Sequence, residues 1–284
     1  MAIIFSQKQE PYSHLEIIQV DTGNRLRVVP ERGGLITEWF CDGREILYFD
    51  LERFNQPEKS VRGGIPILFP ICGDLTRSSF KVNDQEYSLR QHGFARDSPW
   101  TIQLNERQSS FCLSLSDNEQ TRAVYPYSFS LNMEVQLQHK GIDFRISVHN
   151  KSQNEMPFSF GLHPYFNVTD LKGTNILGLP SHCTDHLKRI DIPTGQQLGR
   201  LSEGVDFISG PTKAVALVDL LAGTCVELKQ EPPFDLTVVW TDPPREMVCL
   251  EPWTSPRESL VNGVRRISLQ PGAHQELNCR LLIK

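Results

Sequence analysis

Apolar and polar residues alternate in short runs along nearly the whole chain. A period of two is the mark of strands with one buried face. HLEIIQV (14–20) alternates, and RLRVV (25–29) follows after turn residues Asp21 to Asn24. LITEWFCDGREILYFD (35–50) reads as two runs around Asp42-Gly43. That dipeptide suits the positive φ angles of a tight hairpin turn. FKVNDQEYSL (80–89) repeats the design around Asn83-Asp84. WTIQLNE, SFCLSLSD, YSFSLNMEVQLQ and IDFRISVHN follow at close spacing, the last two joined across Lys140-Gly141. AVALVDL, TCVELKQ, FDLTVVW, EMVCLEP, RRISLQ and QELNCRLLI continue the pattern, punctuated by Gly223, Pro232-Pro233, Pro243-Pro244, Gly263 and Gly272.

One stretch departs from it. SPRESLVNG (255–263) predicts a short helix, with Ser255 as N-cap, Pro256 in the first turn, Glu258 as capping-box partner and Gly263 at the end. Many strands against one short helix predict an all-β fold, a sandwich of large antiparallel sheets. No composition break or low-complexity linker divides the chain, so residues 1–284 are expected to form a single domain.

Charge changes this picture little. Lys and Arg number 29 against 34 Asp and Glu, a formal net charge of -5. That balance gives no reason to expect nucleic acid or an anionic membrane as a partner. No apolar run reaches the ~20 residues that span a bilayer. MAIIFSQKQEPYSH at the start has neither a basic n-region nor a long apolar segment, so a cytoplasmic location is expected. Seven cysteines are scattered singly, and no CxxC occurs, which argues against disulfides and a cysteine zinc site. Cys112, Cys225, Cys249 and Cys279 lie in apolar runs and are expected to be buried free thiols. P-loop, GxGxxG, GxSxG and HExxH motifs are absent.

Chemistry concentrates in a few segments rich in proline and aromatic residues. In FSFGLHPYF (158–166), Pro164 restrains the backbone beside His163. An imidazole, with an ordinary pKa of ~6.5, gives and takes protons near neutrality; a core histidine satisfied by backbone is the alternative. Glu251 ends the apolar run EMVCLEP. A carboxylate there is partly desolvated and becomes a stronger base, unless Arg257 pairs with it. In VRGGIPILFPICGDL (61–75), Arg62 precedes Gly63-Gly64 and offers a planar fork of donors to hydroxyls or an anion; otherwise it is a surface arginine beside a turn. QHGFARDSPW (91–100) places His92 and Arg96 in a loop, as sugar contacts or as a structural cluster with Asp97. SHCTDH (181–186) holds His182, Cys183 and His186, but without a second ligand pair it reads as a polar loop rather than a metal site.

RGGIPILFP, QHGFARDSPW, YPYSFSL, GLHPYF and the late EP together resemble the aldose 1-epimerase (mutarotase) family, in order over roughly residues 15 to 280. The resemblance is closest to its hexose-6-phosphate mutarotase or glucose-6-phosphate 1-epimerase-like branch. It implies a galactose-mutarotase-like β-supersandwich and a cofactor-free, metal-free interconversion of α and β anomers of a sugar or sugar phosphate. It implies His163 as general acid and Glu251 as general base, with His92, Arg96 and Asp206 in the sugar site and Arg62 toward a phosphate. Phe69, Phe94 and Trp253 are candidates to pack on the apolar face of the pyranose. A non-catalytic carbohydrate-binding or regulatory protein on the same fold is the alternative function. Oligomeric state is not legible in the sequence.

Overall fold

A computed structural model describes residues 3–105 and 110–284. Its architecture is antiparallel throughout the named sheets. The largest sheet runs Thr174–Leu177, Val215–Asp219, Thr224–Gln230, His274–Ile283, Gly141–Asn150, Phe129–Gln138, Ser110–Ser116, Thr101–Asn105. A second large sheet runs Ile190–Pro193, His182–Asp185, Asp206–Ser209, Leu236–Trp240, Met247–Trp253, Gly161–Leu162, Ile67–Leu68, with Tyr165–Asn167 beside Met247–Trp253. A third holds the first five strands in chain order, Ile3–Lys8 to Arg44–Glu45.

The alternation read from the sequence becomes two-sided packing. Along Phe129–Gln138, Leu131, Met133, Val135 and Leu137 are buried while Asn132, Glu134 and Gln136 are half-exposed. Across the ladder they face Val148, Ile146, Phe144 and Ile142, so each inward residue meets an inward partner. Burying one such side chain stabilises the fold by roughly 1.5–3 kcal/mol before entropy is counted. One apolar core draws on all three sheets, through Trp39, Leu131, Phe144, Phe166 and Leu250 among others. Met247–Trp253 differs from the rest: every residue in it is buried. Covered on both faces, it has no solvent side on which to place a polar residue cheaply, yet Glu251 is there.

Two of the three predicted hairpin turns form where expected. Asp42 and Gly43 have φ of 54° and 78°, and Asn83 and Asp84 have 47° and 63°. The third turn lies one residue earlier than expected, since Gln138 pairs with Gly141. The predicted helix at 255–263 is shortened to Ser259–Asn262. Its capping box does not form, because Ser255 Oγ donates to the Arg265 carbonyl and Glu258 accepts from Thr76. Glu258 itself has φ of 67°, which no regular helix accommodates, whereas Gly263 ends the turn as expected. Three short helices were not legible as periodic segments: Leu51–Phe54, Glu119–Val124 and Thr194–Leu198. All seven cysteines are free; Cys249 and Cys279 are buried, but Cys112 and Cys225 are half-exposed on the outer face of their strands. Among the described residues, no helix is long and apolar enough to cross a membrane.

Candidate active site

A cavity of about 240 Å³ opens over the second sheet and is lined by Arg62, His92, Arg96, His163, Asp206 and Glu251. All six residues singled out in the sequence therefore meet in one place. Its floor comes from strand register. Val238 lies opposite Glu251, and Trp240 lies opposite both Cys249 and Asp206. A period of two then puts Val238 and Trp240, and Glu251 and Trp253, on the same face.

Glu251 is 1 % exposed. Its Oε1 lies 3.3 Å from Nε2 of His163, and its Oε2 accepts the indole N–H of Trp253 at 3.1 Å. Burial, and then the nearby charge of Asp206, hold its pKa well above the usual carboxylate range. His163 is carried on the extended segment before Pro164 and anchored by its backbone N–H to the Pro66 carbonyl at 3.0 Å. Its ring stacks on Tyr165, with centroids 4.6 Å apart and planes 13° apart, and meets Trp240 edge-on. Burial, followed by the positive charge of Arg96, lowers its pKa to about 3. Both shifts put the pair's shared proton on Glu251 and leave the imidazole neutral.

His92 has φ of 66°, unusual for a residue with a side chain. The turn is pinned by the His92 N–H to the Gly73 carbonyl at 2.6 Å, and Nδ1 accepts the Gly73 N–H at 3.0 Å. Nδ1 is thereby the acceptor, so the proton is on Nε2 and the ring is a donor. Burial, then His163, keeps this ring neutral by holding its pKa well below the ordinary value. Gly93, next in line, has φ of 72°, and a Cβ there would lie 2.2 Å from the Phe69 carbonyl oxygen.

Arg62 reaches the cavity because Gly63 lets the chain lie flat against Phe49. A Cβ at Gly63 would come within 2.5 Å of the Phe49 Cα. The Arg62 guanidinium sits over Trp240, 5.4 Å from the ring centre, and its Nε is 3.8 Å from Asp242. Arg96 donates to the Gln91 carbonyl at 3.0 Å and lies 3.8 Å from Asp97. Both ion pairs are loose, which leaves positive charge for a ligand. Arg257 does not pair with Glu251. It bridges Asp74 at 3.0 Å and Asp206 at 2.7 Å. The other Asp206 oxygen meets His186 Nδ1 at 2.7 Å.

Two expectations fail. Phe69 is fully buried, its ring 5.0 Å from that of Phe129 and 5.8 Å from that of Phe158, and Phe94 packs against the same core cluster. Phe69 is too deep to touch a sugar, and Phe94, half-buried, is not among the residues that line the cavity; Trp253 does line it, along with Tyr165 and Trp240, which sequence reasoning missed. Tyr165 was within reach, two residues beyond His163 in the same motif. In SHCTDH, His182 is exposed and Cys183 buried, so alternation separates them and no metal set forms there. The donor atoms of His163, Cys249 and Glu251 do lie within 4.8 Å of one another. Each is already engaged: the imidazole with Oε1, the carboxyl with Trp253, and the Cys249 thiol with Met247 Sδ. A larger concavity of about 740 Å³ lies on the outer face of the first sheet, lined by alternating charges such as Asp143, Arg145, Lys229 and Arg280. None of the six residues is in it, and its ladder of opposite charges reads as a solvated sheet face.

The family model described as aldose 1-epimerase matches residues 16–281. A Cenchrus ciliaris protein provisionally named glucose-6-phosphate 1-epimerase is 30 % identical over 203 residues, covering 66 % of this chain and 58 % of that protein. An Escherichia coli K12 protein with the same provisional name is 25 % identical over 175 residues, covering 60 % of this chain and 55 % of its own length. The matches thus span little more than half of these curated relatives. The crystal structure of the Slr1438 protein from Synechocystis sp. PCC 6803 is 32 % identical, covers 100 % of this chain and 99 % of its own, and superposes with a TM-score of 0.92. A galactose mutarotase-like protein from Clostridium acetobutylicum, 18 % identical, covers 100 % of this chain and 99 % of its own at a TM-score of 0.83, and so shares the fold.

Proposed function

Because the chain belongs to the aldose 1-epimerase family, we propose that it interconverts the α and β anomers of an aldohexose or hexose 6-phosphate by opening and reclosing the ring. The observation that carries this reading is the contact of His163 Nε2 with Glu251 Oε1 at 3.3 Å inside a buried cavity. Ring opening needs one base and one acid with a single proton between them. The pair holds that inventory at no net charge, which is what a desolvated site tolerates.

With a closed pyranose bound, the pair's proton is on His163 and Glu251 is the carboxylate. Glu251 takes the proton of the C1 hydroxyl while His163 delivers its proton to the ring oxygen, and the C1–O5 bond breaks. The site then holds a neutral imidazole and a protonated carboxyl beside the open-chain aldehyde. Rotation about C1–C2 presents the other carbonyl face, and both proton transfers run backward on closure. Neutral imidazole and protonated carboxyl are also the forms that burial favours, and one proton transfer along the 3.3 Å contact readies the pair for a closed sugar. His92 Nε2–H and Asp206 hold hydroxyls, and Tyr165, Trp240 and Trp253 supply apolar and aromatic walls.

Arg62 and Arg96, each only loosely paired at 3.8 Å, favour a phosphorylated sugar. The names of the Cenchrus ciliaris and Escherichia coli relatives support the same choice.

Polarimetry of freshly dissolved α-glucose and α-glucose 6-phosphate tests the reading. The expected outcome is accelerated decay, faster for the phosphate, with Glu251→Gln and His163→Ala each slower by ~10²–10⁴-fold. Folded Glu251→Gln and His163→Ala proteins with full activity would remove the mechanism. Arg62→Ala or Arg96→Ala should raise KM for the phosphosugar ~10–100-fold, with little change for glucose.

A further inference from the structure

We propose that His186 is a positioning residue for this site: it holds Asp206 directly and aims Glu251 through the indole of Trp253. The inference deepens the anomerase reading and rests on it for its kinetic consequence, though not for its geometry.

His186 lies just after the strand His182–Asp185, in the SHCTDH segment. Its backbone N–H donates to the Asp206 carbonyl at 2.9 Å, and its Nδ1 meets Asp206 Oδ1 at 2.7 Å. Its ring lies on Trp253, with centroids 5.9 Å apart and planes 24° apart. Trp253 in turn donates its indole N–H to Glu251. One side chain thus braces two strands of the floor, Asp206–Ser209 and Met247–Trp253. It is itself stiffly mounted. Asp185 accepts from the N–H groups of Leu187 at 2.8 Å and Lys188 at 2.9 Å and from the Gln197 side chain at 2.7 Å, which fixes the turn that carries His186.

The ring's hydrogen bonding fixes its form. A carboxylate only accepts, so Nδ1 carries the proton and donates to Asp206. It orders Asp206 from one side while Arg257 orders it from the other.

Two substitutions separate the contacts. His186→Phe keeps a ring on Trp253 and removes the donor; His186→Asn keeps a short-chain donor and removes the ring. His186→Phe should raise KM roughly tenfold, with a smaller effect on kcat. His186→Asn should lower kcat roughly ten- to a hundredfold, because a slight misplacement of the base suffices for that. The indole N–H resonance of Trp253, identified by its loss in Trp253→Phe, should move in His186→Asn, while those of Trp39 and Trp100, neither of which lines the cavity, stay in place and report an intact fold. This signal needs no turnover, so it stands even if no sugar is anomerised. An unmoved Trp253 resonance, or kcat and KM within twofold of the parent in both folded variants, would overturn the proposal. If one variant does not fold, the other still decides.

Discussion

Burial places the proton of the Glu251–His163 pair on the carboxyl group, and under the proposed mechanism this has a direct kinetic signature. In the proposed mechanism the pair is active with one proton. It gains a second only when His163 protonates, at about 3, and loses its last only when Glu251 ionises, well above the usual carboxylate range. The expected kcat/KM profile, corrected for uncatalysed mutarotation, is therefore flat as pH falls through 6.5 and drops only far into acid. An ordinary imidazole would leave the rate at pH 5 about thirtyfold below its plateau, and such a limb would contradict the assignment. At this scale the sequence was informative where a titratable residue stood out against its own neighbours. His163 beside Pro164 and Glu251 in an apolar run are of that kind. His186 is not. Its partner Asp206 is twenty positions away in sequence, and its hold on Glu251 passes through a stacked indole, a relation that no local pattern encodes.

Elements were legible where one residue type answers one backbone demand. Asp42-Gly43 and Asn83-Asp84 give their turns because both need positive φ at two successive positions. The helix at 255–263 was misjudged because the same polar side chains had better partners elsewhere: Thr76 and the Arg265 carbonyl are supplied by segments distant from it or beyond it. A similar tertiary claim governs Glu45, on the short strand Arg44–Glu45. Its Oε1 accepts the N–H groups of Trp39 at 3.0 Å and Leu47 at 3.1 Å. Burial still outweighs these bonds and raises its pKa to about 7. A raised carboxyl binds its proton more tightly in the folded state than in the unfolded one. Its stabilising contribution is thus present below the unfolded value near 4.5 and is lost as pH rises toward 7. Glu45→Gln keeps the accepting oxygen and cannot ionise. Urea unfolding should find this variant gaining on the parent by roughly 1–3 kcal/mol between pH 5 and pH 8; a gap that does not change with pH would refute the assignment.

Across the whole molecule, the formal charge of -5 would oppose the phosphorylated substrate proposed above, while Arg62 and Arg96 would attract it locally. Salt screens exposed charges over about 10 Å at 0.1 M. For hexose 6-phosphate, kcat/KM should fall as salt rises, whereas for glucose it should hold steady; parallel curves for the two sugars would argue against a phosphate at these arginines. The all-β class and sandwich architecture were readable from periodicity alone, but strand order was not, because hydrophobic alternation says which face a strand buries and nothing about its neighbour. The first sheet makes that gap concrete. His274–Ile283 is the latest of its strands in chain order, yet it lies in the interior, between Thr224–Gln230 and Gly141–Asn150. In synthesis this strand follows all its partners, so the two halves of the sheet can be joined only on its arrival. Until then the edges of those halves are open to pairing with other nascent chains. This strand is made after every residue that lines the candidate cavity.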